Sequence, residues 1–137
     1  MLRKSAKVQL LERVPLFSRC TKRELNALAL QADQLGVPAK RELTKQGEVG
    51  REFIVLVSGA AEVRKNGRLI NRLGPGDFLG EIALLSGSPR TATVLTTEPS
   101  EILVLTSRDF DRVVKEIPQL RASLLAALSE RLEATSL

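Results

Sequence analysis

Apolar positions recur with a helical period at both ends of the chain and with a strand-like rhythm between them. Val8, Leu11 and Val14 stand three residues apart with Leu10 beside them, which predicts a short helix ending before Pro15. Thr21 followed by Glu24 is a capping box, in which each side chain satisfies a free backbone amide at a helix start. Leu25, Leu28 and Ala29 continue as an apolar face, so a second helix is expected from about Lys22 to Ala32. Pro15, Leu16 and Phe17 form the corner between the two.

From Gln34 to Thr106 short runs rich in Val, Ile, Leu and Thr are separated by Gly, Pro, Asn and Asp, the spacing of an all-β barrel or sandwich. The expected strands are Gln34–Val37, Arg41–Lys45, Phe53–Ser58, Ala61–Lys65, Arg68–Leu73, Thr91–Thr96 and Glu101–Thr106. Asn66-Gly67 tolerates positive φ at both turn centres and predicts a hairpin. Gly74-Pro75-Gly76-Asp77 fits a type II turn, proline setting φ at the second position and glycine supplying positive φ at the third.

After Thr106 the helical period returns. Ser107 suits the cap of a helix reaching about Glu116, Pro118 suits the first turn of another, and Leu120, Leu124, Leu128 and Leu132 make a stripe at four-residue spacing. No two further helices follow that could form a helix-turn-helix DNA reader, so no DNA-binding domain is expected in this chain.

Composition removes several classes of chemistry. With no histidine among 137 residues there is no His-based triad, proton shuttle or imidazole-bound metal, and the usual metal ligands of a cupin oxygenase or isomerase are missing. The single cysteine, Cys20, allows neither a thiolate cluster nor an internal disulfide and has no neighbouring histidine to activate it. The net charge of +5 is local: residues 1–23 carry seven Lys/Arg against Glu12 alone, whereas the rest holds 14 basic and 15 acidic side chains. The basic segment therefore reads as a solvated helix face or a contact for an acidic partner, and says little about the body of the protein. No uncharged apolar run approaches the roughly 18 residues of a membrane span, and MLRKSAKVQLLERV lacks the apolar stretch of a secretory signal, so a cytoplasmic location is expected.

The segment from Asp77 to Ala92 is not plain hairpin chemistry. Gly80 permits close backbone approach, and Glu81 to Leu85 are helix formers long enough for one turn, whose free amides suit an anion. Ser86-Gly87-Ser88-Pro89 turns the chain back and brings Arg90 to the same side, where its planar donor fork suits phosphate oxygens. Glu81 beside an anion site is repulsive unless something there donates to it, as a ribose hydroxyl does. Together these features specify a nucleotide rather than a simple phosphate ester.

Phe78-Leu79-Gly80-Glu81-Ile82-Ala83-Leu84-Leu85 followed by Pro89-Arg90-Thr91-Ala92 resembles the phosphate-binding cassette of the cyclic nucleotide-binding domain family. Val14-Pro15-Leu16-Phe17, Gln46-Gly47-Glu48, Val57-Ser58-Gly59 and Leu73-Gly74-Pro75-Gly76-Asp77 resemble its other landmarks. The resemblance implies a mainly β fold with flanking helices: an eight-stranded, jelly-roll-like β-roll. It implies one domain over residues 1–137, with N-terminal helices in 1–32, the β-roll in 33–106, the cassette at 78–92, and hinge and lid helices in 107–137. It assigns Gly80, Glu81, Ile82, Ala83, Arg90, Thr91 and Ala92 to the ligand. Arg90 would pair with the exocyclic phosphate oxygens, Glu81 would accept from the ribose 2′-hydroxyl, and amides near Ala83 and Thr91 would complete the cradle. The expected ligand is cAMP, ranked slightly ahead of cGMP; in the family a hydroxyl after the arginine, here Thr91, can reach the 2-amino group of a syn guanine and so favours cGMP without excluding cAMP. Phe110 is the last aromatic residue, so the terminal helix offers only leucines, Arg121 and Arg131 to cover a base.

The expected function is a non-catalytic sensor without metal or other cofactor. Leu84 would move against Phe110 and the helix from Pro118 would close, its leucine face meeting a second copy or an effector protein. A β-roll scaffold or protein-interaction domain without ligand is the competing reading.

Overall fold

The computed structural model describes residues 2–81, 84 and 89–135, with the backbone alone at Leu128 and 131–135. These residues divide into two units, 33–107 and the combination of the N-terminal 32 residues with 108–137.

The β unit contains eight strands: β1 Asp33–Val37, β2 Glu42–Thr44, β3 Glu52–Ser58, β4 Ala61–Lys65, β5 Arg68–Leu73, β6 Phe78–Leu79, β7 Thr93–Thr96 and β8 Ser100–Thr106. They form two antiparallel four-stranded sheets, ordered β1-β8-β3-β6 and β2-β7-β4-β5. The mainly β architecture with flanking helices is as expected. Seven strands coincide with the expected runs to within two residues, and the eighth, β6, is only two residues long. Such a pair shows no alternation and is invisible to a periodicity argument.

Register explains the core. Ile54 stands opposite Val104 and Leu56 opposite Ile102, and these four buried side chains cluster with Val37, Leu43, Leu73 and Leu79. Phe53, Val55, Leu103 and Leu105 are buried as well, so β3 and β8 are covered on both faces. That is why each reads as a continuous apolar run rather than an alternating one. The β4–β5 hairpin turns at Asn66 and Gly67, with φ +52° and +79°, the left-handed pair that a two-residue turn demands. The Gln46 side chain brackets Asn66 through two 2.9 Å hydrogen bonds. At the expected type II turn, Gly76 has φ +90° and the Asp77 N–H donates to the Gly74 carbonyl at 3.0 Å.

The helical unit contains α1 Lys4–Glu12, a 3₁₀ turn Pro15–Phe17, α2 Lys22–Gln31, α3 Ser107–Glu116, whose first residue ends the β unit, and α4 Pro118–Thr135. The capping box is present: Glu24 N–H donates to Thr21 Oγ1 at 3.2 Å, and Thr21 N–H to Glu24 Oε1 at 2.8 Å. Glu24 is only 1 % exposed, and Ser123 of α4 donates to its carboxylate at 3.2–3.3 Å, so the cap also ties α2 to α4. Lys7 Nζ donates to the Ala32 carbonyl at the end of α2 at 3.0 Å, where the helix dipole favours a cation. Arg19 and Glu130 form an ion pair. Helix α3 begins at Ser107 itself, one residue before the expected start, with its N–H bound to the Arg51 carbonyl. Leu120 and Leu124 are buried and Leu125 is exposed; the remainder of the expected leucine stripe, Leu128 and Leu132, lies beyond the described side chains.

Candidate functional site

One register row of the second sheet forms a wall. Asn71 on β5 stands opposite Val63 on β4, Val63 opposite Val94 on β7, and Val94 opposite Thr44 on β2. All four line a cavity of about 490 Å³, within the usual range of small-molecule sites. The row is apolar in the middle and polar at its two ends. Thr44 is buried, and its hydroxyl donates to the Ala92 carbonyl at 3.1 Å, which joins that end of the row to the segment carrying Arg90.

Arg90 sits at the entrance to β7 with its backbone fixed on both sides. Its carbonyl accepts from Gly47 N–H and its N–H donates to the Glu48 carbonyl, both at 2.9 Å, while Val49 bridges Pro89. The side chain runs between two glycines. A Cβ added at Gly50 would lie 2.7 Å from Nη2 and 2.8 Å from Cζ, and one at Gly80 would lie 2.6 Å from the Glu52 carbonyl oxygen and against Nη1. Gly80 also has φ +82°, a conformation open to glycine at little cost. Both glycines are therefore required by the course of the guanidinium.

Arg90 Nη2 donates to the Glu52 carbonyl at 2.6 Å, and Nε is buried with no hydrogen-bond partner among the described residues. Burial pulls the pKa of this arginine below its ordinary value, and the Glu52 carboxylate opposes that shift. A guanidinium does not deprotonate in proteins, so the site holds a fixed, partly desolvated cation with a spare donor. An anion in the cavity would relieve that cost. Glu81, 8 % exposed, lines the same cavity.

Of the seven residues expected at the ligand, Gly80, Glu81, Arg90, Thr91 and Ala92 line this one cavity. Ile82 and Ala83, with the helical turn expected there, lie outside the described residues. Thr91 and Ala92, expected within a strand, precede β7, which begins at Thr93. Thr44, Val63, Asn71, Leu73 and Val94 also line the cavity, and the sequence reading did not find them. Their only local signal is a polar asparagine, two positions before Leu73, on the cavity face of a strand. Gly50 likewise passed unnoticed, because what it accommodates is 40 residues away in sequence. Among the described residues no group of three or more His, Cys, Asp or Glu could hold a metal ion, and no helix is long and apolar enough to cross a membrane.

Comparison with known proteins places this geometry in a family. The model of the cyclic nucleotide-binding domain matches residues 35–116. A cyclic nucleotide-gated potassium channel of Rhizobium etli is 32 % identical over 123 residues, covering 90 % of this chain and 34 % of the channel. The N-terminal domain of a transcriptional regulator from Streptomyces coelicolor A3(2) superposes with a TM-score of 0.83 at 26 % identity, covering 93 % of this chain and 92 % of that one. The regulatory domain of Toxoplasma gondii PKA, crystallised with cAMP, gives a TM-score of 0.74 at 29 % identity over 82 % of this chain and 45 % of that one. The chain spans about a third or less of the length of the curated relatives it matches. With the family model covering more than half its length, the chain belongs to the cyclic nucleotide-binding domain family, whose domains are regulatory modules.

Proposed function

We propose that residues 1–137 form a single sensor domain that binds cAMP ahead of cGMP and performs no chemistry on it. The observation that carries this reading is Arg90: a partly desolvated guanidinium, locked at its backbone, seated between Gly50 and Gly80 at a nucleotide-sized cavity, with a buried Nε–H that lacks a partner among the described residues. Its donors take the exocyclic oxygens of the cyclic phosphate, and Gly80 lets the backbone approach them. Glu81 accepts from the ribose 2′-hydroxyl, while Thr91 and Ala92 border the phosphate. Ile82 and Ala83 enter this reading through the family resemblance alone. A relative crystallised with cAMP supports cAMP as a ligand of this kind of site.

Binding shifts the population of conformers, and α3 and α4 carry that shift to a second copy or an effector protein in the cytoplasm. A calorimetric titration with both nucleotides tests the reading. Binding of cAMP at micromolar or tighter Kd, weakened in Arg90→Ala by roughly 1.5–3 kcal/mol, the range for hydrogen bonds to a charged group, supports it. No binding of either nucleotide by the wild type contradicts it and leaves a scaffold.

A further inference from the structure

The net charge is not spread evenly over the chain. Residues 33–107 carry nine basic and nine acidic side chains, so the whole excess of +5 lies in the helical unit. Within that unit the stretch between Glu12 and Glu24 holds Arg13, Arg19, Lys22 and Arg23 and no acid. Successive hydrogen bonds from Val14 N–H to the Leu11 carbonyl, Phe17 to Val14 and Cys20 to Phe17 fold it into one tight corner between the end of α1 and the start of α2. Val14, Leu16 and Phe17 are at most 1 % exposed, so these apolar side chains point inward while all four cations are exposed.

Folding does not account for these cations. Lys22 and Arg23 occupy the first turn of α2, where the helix dipole disfavours positive charge. Glu24, which closes the stretch, is turned inward, its carboxylate taken by the Thr21 N–H and the Ser123 hydroxyl. The side chains of Arg13, Lys22 and Arg23 have no hydrogen bond or ion pair among the described residues. Arg19 does have one, and it shows what the corner takes: Nε, at 2.7 Å, and Nη2 both donate to Oε1 of Glu130 on α4.

We propose that this corner docks an acidic segment of a partner protein, a run with several Asp or Glu that reaches Arg13, Lys22 and Arg23, and that Glu130 occupies part of the surface until such a segment displaces it. A carboxylate matches the planar fork of arginine, and Arg19 already holds one. A bilayer fits less well, because Val14, Leu16 and Phe17 are turned inward and leave no large apolar side chain to insert beside the cations. Single-stranded nucleic acid also fits less well: its bases stack on exposed aromatic rings, and the four phenylalanines here are buried or line the cavity. The surface concerns the chemistry of the effector and holds whether or not the cavity takes a nucleotide.

Fluorescence anisotropy of a labelled Asp/Glu/Ser peptide with the full chain tests this at physiological ionic strength, with phosphatidylserine vesicles and a single-stranded oligonucleotide as unlabelled competitors. The wild type binds the peptide. The triple variant Arg13→Gln, Lys22→Gln, Arg23→Gln binds it about tenfold more weakly, with a urea midpoint no lower than that of the wild type. Removing three exposed cations of the β unit, by Lys40→Gln, Lys65→Gln and Arg68→Gln, changes the affinity by less than about threefold, which separates the corner from net charge alone. Glu130→Gln frees Arg19 and tightens peptide binding about threefold. Equal weakening in the two triple variants, or displacement by vesicles or oligonucleotide in preference to unlabelled peptide, overturns docking of an acidic segment. No peptide binding by the wild type overturns it too and leaves a solvated face. An unchanged affinity in Glu130→Gln overturns its occupancy of the surface.

Discussion

Arg90 Nη2 donates to the backbone carbonyl of Glu52 at 2.6 Å. The acceptor of this bond is a neutral dipole, so the bond positions the guanidinium without neutralising it. The cation keeps its demand for an anion while its direction is set by β3, and the glycines on either side keep the channel open. The two glycines should nevertheless respond differently to substitution.

At Gly50 the atoms that a Cβ would meet belong to the far end of the Arg90 side chain, and the backbone conformation is ordinary. Gly50→Ala is expected to leave the urea midpoint nearly unchanged while displacing the guanidinium and weakening nucleotide binding. At Gly80 the Cβ would meet the Glu52 carbonyl, and φ is +82°. Gly80→Ala is therefore expected to lose roughly 1–2 kcal/mol of stability as well as affinity. Equal stability losses in the two variants would contradict the difference in what surrounds them.

The carboxylate at the cavity makes a separable prediction. Glu81→Ala should narrow the affinity gap between cAMP and 2′-deoxy-cAMP, measured by competition, because the acceptor for the 2′-hydroxyl is gone. An undiminished gap would remove Glu81 from the ribose.

In the helical unit, Thr21→Ala removes one half of the capping box and should cost about 1 kcal/mol in chemical denaturation. Glu24→Ala should cost more, since it strips the Thr21 amide and the Ser123 hydroxyl of their shared acceptor. A smaller loss for Glu24→Ala than for Thr21→Ala would show that the tie to Ser123 contributes nothing.

Burial, reinforced by the Glu24 carboxylate, pushes the Cys20 thiol up to about 12 from an ordinary value of 9.0. The thiolate is disfavoured in the folded chain, so alkylation by iodoacetamide at pH 8 should be much slower than in the urea-unfolded chain. The sign of the linkage follows: the folded state holds this proton more tightly, so its contribution to stability is intact below pH 9 and is lost as pH rises from 9 towards 12. Cys20→Ala should lack that alkaline loss, and equal alkylation rates folded and unfolded would refute the burial.

What could be read from the residues was what depends on near neighbours. The Thr21–Glu24 cap, the Asn66-Gly67 hairpin and the Gly74–Asp77 turn each draw on chemistry within four residues, and each is present. The course of Arg90 between Gly50 and Gly80, and the row from Asn71 to Thr44, depend on strand register across tens of residues, which alternation does not reveal. Thr91 and Ala92 look like strand residues because threonine has high β propensity, yet they border the cavity and β7 starts after them. The motif thus pointed to the end of the cavity at Arg90, while the end at Asn71 came into view only with the sheet.

The most direct test of the account is the side-chain ¹⁵N spectrum of Arg90 during titration with cAMP and, separately, with adenosine, the Nε–H signal being assigned by its loss in Arg90→Ala. The account predicts that this buried signal shifts as cAMP saturates and stays in place with adenosine, which has the base and sugar but no phosphate. A signal unmoved by saturating cAMP, or moved equally by adenosine, would contradict the claim that Arg90 holds the phosphate.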